Sequence, residues 1–176
     1  MAYPVNDIAD FVIEYANSKG NPVNNLKLQK ILYYLEARFL FEGKGVLFDE
    51  PIEKWRYGPV IPEVYHRFKH YGAEDINRVP VQFNFMSLLD ESDESPNTDL
   101  SVGEGISPDD KKLVEETVNQ LLSYNPFKLV NETHKHPAWR NFESHILSGG
   151  RNLQYTDDEI LEDFSHNPSF RLWETP

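Results

Sequence analysis

The sequence contains no cysteine. Disulfides, a thiolate nucleophile and cysteine-ligated zinc are therefore excluded. No apolar run approaches the ~20 residues that a membrane-spanning helix needs, so no membrane role is expected. The opening Met1-Ala2-Tyr3-Pro4 lacks a basic stretch leading into an apolar run. A secretory signal is not expected there, and the cytoplasm is the expected location. There is no glycine-rich phosphate loop and no Gly-x-Ser-x-Gly nucleophile turn. Positive charge is also scarce: 17 Lys and Arg face 29 Asp and Glu, a net charge of −12. Residues 1–80 are near balance, with ten basic and eleven acidic side chains, whereas residues 81–176 hold seven and eighteen. Nucleic-acid binding depends on Lys and Arg neutralising phosphates, so direct nucleic-acid contact is not expected. Such an acidic half favours solubility and encounter with a basic partner.

What the chain does have is rings and helical periodicity. Eleven Phe, nine Tyr and three Trp are enough for a real core in 176 residues. Ile8, Phe11, Val12 and Tyr15 fall on one helical face, with Asn6 or Asp7 as cap and Gly20 as stop. A second helix is expected from Leu26 to Glu42, capped by Asn24 or Asn25 and stopped by Gly43. Its stripe of Leu28, Ile31, Leu32, Leu35 and Phe39, with Tyr33, Tyr34 and Phe41 off the stripe, makes it apolar around much of its girth. Such a helix belongs at the centre of a bundle. A third helix is expected from Pro62 to about Gly72, with Val64, Tyr65 and Phe68 inward. Ser107-Pro108-Asp109-Asp110, Asn125-Pro126 and the Thr156/Glu159 pair each open a further helix. Short β structure is expected around residues 46–57 and at 79–85, with a turn at Gly58-Pro59. The acidic stretch 88–106 reads as a loop.

Candidate chemistry is thin. His66 and His70 stand at i and i+4, with Glu63 before them, but lack the glutamate directly after the first histidine that metalloproteases use. His134-Lys135-His136, with Glu143 or His145 further on, has no diagnostic metal spacing, and His134 reads better as a residue that caps or orients a neighbouring element. The carboxylate pairs Asp109-Asp110 and Asp157-Asp158 sit at helix starts, where capping accounts for them. No catalytic residue, metal ligand or cofactor site is assigned. Trp55-Arg56-Tyr57-Gly58-Pro59-Val60 differs in kind, because Trp, Arg and Tyr are the types most enriched at binding hot spots. A structural Trp55 beside an exposed Arg56 and Tyr57 is expected.

Three stretches resemble one family. Lys27-Leu28-Gln29-Lys30-Ile31-Leu32-Tyr33-Tyr34 is similar to the "KLQKLLYY" helix of the Panacea domain, the SocA-like antitoxin family. Residues 48–65 resemble its signature F-x-E-x-I-x-A-W-x-x-G-P-V-x-P-x-V-Y, with Lys54 where alanine is common. Thr133-His134-Lys135-His136-Pro137-Ala138-Trp139 is similar to its T-H-x-x-x-P-W stretch, with Ala138 as an extra residue. The resemblance spans about residues 6–140. It implies an antitoxin of bacterial and prophage toxin–antitoxin pairs, a non-enzymatic protein that neutralises its cognate toxin by direct binding. Toxic small alarmone synthetases are among the toxins such domains accompany. It also implies, as an alternative, an adaptor that delivers the toxin to a AAA+ protease.

The expected architecture is mainly α: one compact domain of about five to six helices with a small antiparallel β element, over residues 1–145. Residues 146–176 form an extension with a short helix. The expected partner is a protein toxin with a basic surface, met by the acidic stretch 88–106 or by the C-terminal segment. The family-defining or partner-binding set is Lys27, Lys30, Trp55, Arg56, Tyr57, Gly58, Pro59, Tyr65 and His134, with Lys30, Arg56 and His134 as a polar cluster. A metal-dependent enzyme using the histidines and a prophage regulator are the competing readings.

Overall fold

Proline, asparagine and glycine punctuate the chain where its helices start and stop. A computed structural model describes residues 2–77, 79 and 101–174. These contain α1 (Val5–Ser18), α2 (Asn25–Phe41), β1 (Glu53–Trp55), β2 (Gly58–Val60), α3 (Pro62–Phe68), α4 (Pro108–Leu122), α5 (Pro126–Thr133), α6 (Pro137–Arg140), α7 (Glu143–Leu147) and α8 (Asp157–His166). Single 3-10 turns at Lys69–Tyr71, Pro168–Phe170 and Leu172–Glu174 extend α3 and α8. The expected strand beyond Val79 and residues 88–100 of the acidic stretch lie outside the described residues.

Caps fix the starts. Asn24 accepts from the Lys27 amide at 2.8 Å, Ser107 from Asp110 at 3.2 Å and Asn125 from Lys128 at 2.8 Å. Thr156 and Glu159 form a full reciprocal capping box. Each such side-chain cap is worth about 1 kcal/mol. α1 departs from expectation: Pro4 holds the cap position, so Asn6 and Asp7 lie within the first turn, and the Val5 amide donates to Glu50 at 3.2 Å. Asn6 instead donates to Glu63 of α3 at 2.7 Å.

α2 is the axis. It packs against α1, α3, α4, α5, α8 and β2, and Leu28, Ile31, Leu32, Tyr33, Tyr34 and Leu35 are all buried along it. Residues 153–173 join the same core. Phe164 of α8 meets Tyr34 edge-on at 5.7 Å and stacks on Trp173 at 5.3 Å.

The sheet is β1 against β2, antiparallel, with Glu53 opposite Val60, Lys54 opposite Pro59 and Trp55 opposite Gly58. β1 lies within the expected 46–57 stretch, whereas β2 lies just beyond it. Val46-Leu47-Phe48 forms no strand, because the Leu47 and Phe48 amides donate to the buried Glu36 carboxylate at 2.9 and 3.3 Å. The turn is Arg56-Tyr57, and Gly58-Pro59, expected as the turn, belongs to β2.

Candidate functional site

The hairpin tip is held by its carbonyls. Trp139 Nε1 donates to the Trp55 carbonyl at 2.8 Å. His134 Nε2 bonds the Arg56 carbonyl at 3.1 Å. A carbonyl only accepts, so the Nε2 position carries the hydrogen. Lys30 Nζ donates to the Pro59 carbonyl at 2.9 Å. One donor comes from the end of α5, one from α6 and one from α2, so the turn is fixed from three sides. His134 and Trp139 also stack on each other, with centroids 3.8 Å apart and planes 14° from parallel.

Gly58 makes this docking possible. Its φ is +92°, a region L side chains avoid. A Cβ there would lie 2.5 Å from Thr133 Oγ1 and 3.3 Å from Lys30 Cε. Behind the hairpin, Gln29 accepts the Ile61 amide at 2.8 Å and donates to Asn25, which donates to the Tyr65 carbonyl at 3.1 Å. α2 thus sets the start of α3 as well. Trp55 packs its ring on Tyr65 at 4.9 Å and donates Nε1 to Glu53 at 2.6 Å.

Electrostatics follow burial. Lys30 is 0% exposed, and burial pulls its pKa down to about 7. Burial also lowers His134, against the opposing effect of its bond to the Arg56 carbonyl. What remains outside is Arg56 and Tyr57. Tyr57 is 55% exposed, and the Arg56 guanidinium has no hydrogen-bond or ion-pair partner among the described residues. The result is a cationic and aromatic tip on a rigid mount.

These three motifs coincide with a known domain. The family model for the antitoxin SocA-like Panacea domain matches residues 28–140, which hold Lys30, the whole hairpin, His134 and Trp139. The chain belongs to the SocA-like antitoxin family. It is 33% identical over 99 residues to Antitoxin SocA of Caulobacter vibrioides (strain NA1000 / CB15N), a match covering 56% of this chain and 52% of that protein. The chain therefore spans about half the length of the curated relative it matches. No solved structure matches it.

The Panacea motif residues divide into two groups. Lys30, Trp55, Gly58, Pro59, Tyr65 and His134 meet at the hairpin and build its mount. Lys27 lies apart: its Nζ donates to the Leu122 carbonyl at the end of α4 at 2.8 Å, and burial lowers its pKa. The expected cluster of Lys30, Arg56 and His134 forms only in part, because Arg56 contributes its carbonyl while its guanidinium points elsewhere. His66 and His70 are exposed. Among the described residues no three His, Asp or Glu are placed to hold a metal ion.

Sequence reasoning missed several anchors. Gln29, Thr133 and Trp139 carry the mount, yet only their place inside the matching motifs marks them. His136 is fully buried, with Nδ1 3.0 Å from the Tyr33 hydroxyl, and burial lowers its pKa to about 3. Lys54, the departure from the family pattern, is also buried. It pairs with Glu159 at 3.0 Å and sits 3.6 Å over the Phe142 ring, which ties the hairpin to α8.

Proposed function

We propose that this chain is the antitoxin of a toxin–antitoxin pair and acts by direct contact with its cognate protein toxin, presenting the Arg56-Tyr57 tip to it. The observation that carries this is the division of labour at the hairpin. Trp55, Arg56 and Pro59 carbonyls are all fixed by buried or half-buried donors, while the two side chains of hot-spot type at the turn stay outside. A rigid mount lowers the entropic cost of binding, which favours affinity at a small contact. Membership of the antitoxin family supports the same reading. The −11 balance of residues 81–176 favours a toxin with a basic surface, approached faster through charge complementarity. A toxin acting on RNA or nucleotides, such as a small alarmone synthetase, has such a surface.

The test is co-expression of the tagged chain with the neighbouring gene of its operon, scoring growth and co-purification together. Rescue of growth with a stoichiometric complex is expected. Rescue with no complex, and toxin levels restored by removing a AAA+ protease, would replace direct blocking with delivery for proteolysis. No rescue and no complex would overturn the antitoxin reading.

A further inference from the structure

A second feature lies away from the hairpin tip. Glu36 of α2 is 2% exposed and has no cationic partner among the described residues. Its Oε2 accepts the Leu47 and Phe48 amides, and its Oε1 has no hydrogen-bond partner among the described residues. The side chain lines a cavity of about 210 Å³ between the 46–52 segment and the start of α8. Glu50, Asp49 and Asp157 line it too. Glu50 Oε2 is shielded from solvent and likewise lacks a partner. Among the described residues no lysine, arginine or histidine lines this cavity. Three other buried or half-buried carboxylates are already engaged: Asp163 by the Ala138 amide, Glu159 by Lys54, Glu132 by Lys128 and Lys135.

A buried carboxylate oxygen without a partner, Glu50 Oε2, is costly unless something supplies donors, and the Glu36 carboxylate beside it is held by two backbone amides alone. The ligand must be cationic and must bring several donors that are spread apart, because the acidic groups do not converge at metal-ligand distances. A planar guanidinium with five N–H donors meets that requirement better than a compact ammonium. We propose that this cavity receives an arginine side chain of the partner protein, its guanidinium seated on Glu36 and Glu50 between Asp49 and Asp157. The proposal rests on the partner-binding reading above. It adds a second contact on a different face from the hairpin tip and gives the basic toxin surface a defined receptor. Burial, with Asp157 and Asp49 adding to it, raises Glu36 to about 8. An entering guanidinium therefore displaces a proton from Glu36 at neutral pH.

The test is an NMR titration of the full-length 15N-labelled chain with N-acetyl-argininamide, which needs no toxin. The Leu47 and Phe48 amides, which report directly on Glu36, are expected to shift saturably. The isosteric citrulline analogue should leave them in place, and the lysine analogue should bind more weakly. Apparent affinity should rise as pH goes from 6 to 8. Asp157→Asn, at an exposed position that does not threaten folding, should weaken binding about two- to fivefold, the scale of one partly exposed ion pair. Absence of saturable shifts at Leu47 and Phe48, or equal shifts with citrulline, would overturn the cavity's role while leaving the antitoxin reading standing. Binding of the probe without rescue from the toxin would overturn the antitoxin reading and leave the cavity.

Discussion

Gly58→Ala is the sharpest probe of the hairpin mount. Two separate costs arise at this position. The first is backbone strain: a residue with a Cβ at φ +92° is disfavoured by about 1–2 kcal/mol. The second is the collision with Thr133 Oγ1 at 2.5 Å. Thr133 has little room to retreat, since it is fully buried and its hydroxyl donates to the Val130 carbonyl at 2.8 Å. Overpacking of this kind adds about 1–3 kcal/mol. The expected total is roughly 2–5 kcal/mol, read by urea denaturation followed by circular dichroism. Gly43→Ala isolates the first cost, because Gly43 has φ +72° and a Cβ there would touch nothing within 4 Å. Thr133→Ala isolates the second: in that background the Gly58→Ala penalty should fall to that of Gly43→Ala. Equal penalties for Gly58→Ala and Gly43→Ala in the wild-type background, or no relief from Thr133→Ala, would refute the claim that close approach to α5 fixes the hairpin.

Further outcomes follow from the same structure. Phe164→Ala should cost about 3–5 kcal/mol in denaturation, because Phe164 is fully buried between α2 and Trp173. Glu36 is raised to about 8 in the fold, so the unfolded chain loses its proton first. Stability from this group is therefore full below pH 4.5 and declines as pH rises to about 8, and Glu36→Gln should flatten that decline in a pH series of denaturation curves. His136 is lowered to about 3, so the unfolded state takes up a proton first as pH falls from 6.5. His136→Phe should remove that acid-side loss of stability, at a cost of about 1 kcal/mol for the bond to Tyr33. Lys30 is lowered to about 7, so wild-type stability should climb from pH 7 towards 10.5, and Lys30→Met should abolish the climb.

Several elements were open to reading from residues alone because their signals are local. The caps at Asn24, Ser107, Asn125 and Thr156 act within three residues, and each is present. The central place of α2 followed from apolar residues around its girth. α6 and α7 were not legible, since four- and five-residue helices carry too few turns to show a period. The second strand of the hairpin was not expected because Gly58-Pro59 has the composition of a turn. In the fold Gly58 serves a close approach to α5, and Pro59 sits in a strand where its carbonyl, rather than the amide it lacks, is used by Lys30. The burial of Lys27, Lys30 and Lys54 is set by long-range partners, the Leu122 and Pro59 carbonyls and Glu159, none of which is near them in sequence.

The central claim is that the hairpin is a fixed mount for an exposed Arg56-Tyr57 contact. The direct measurement is titration calorimetry of the purified chain against the product of its neighbouring gene, the proposed toxin, comparing wild type with Arg56→Ala and Tyr57→Ala. Both side chains are exposed, so each substitution should leave folding stability within about 0.5 kcal/mol of wild type. Each should nevertheless weaken toxin binding by at least about 2 kcal/mol, the mark of a hot spot. Unchanged affinity in both folded variants would contradict the account and move the toxin contact elsewhere on the domain.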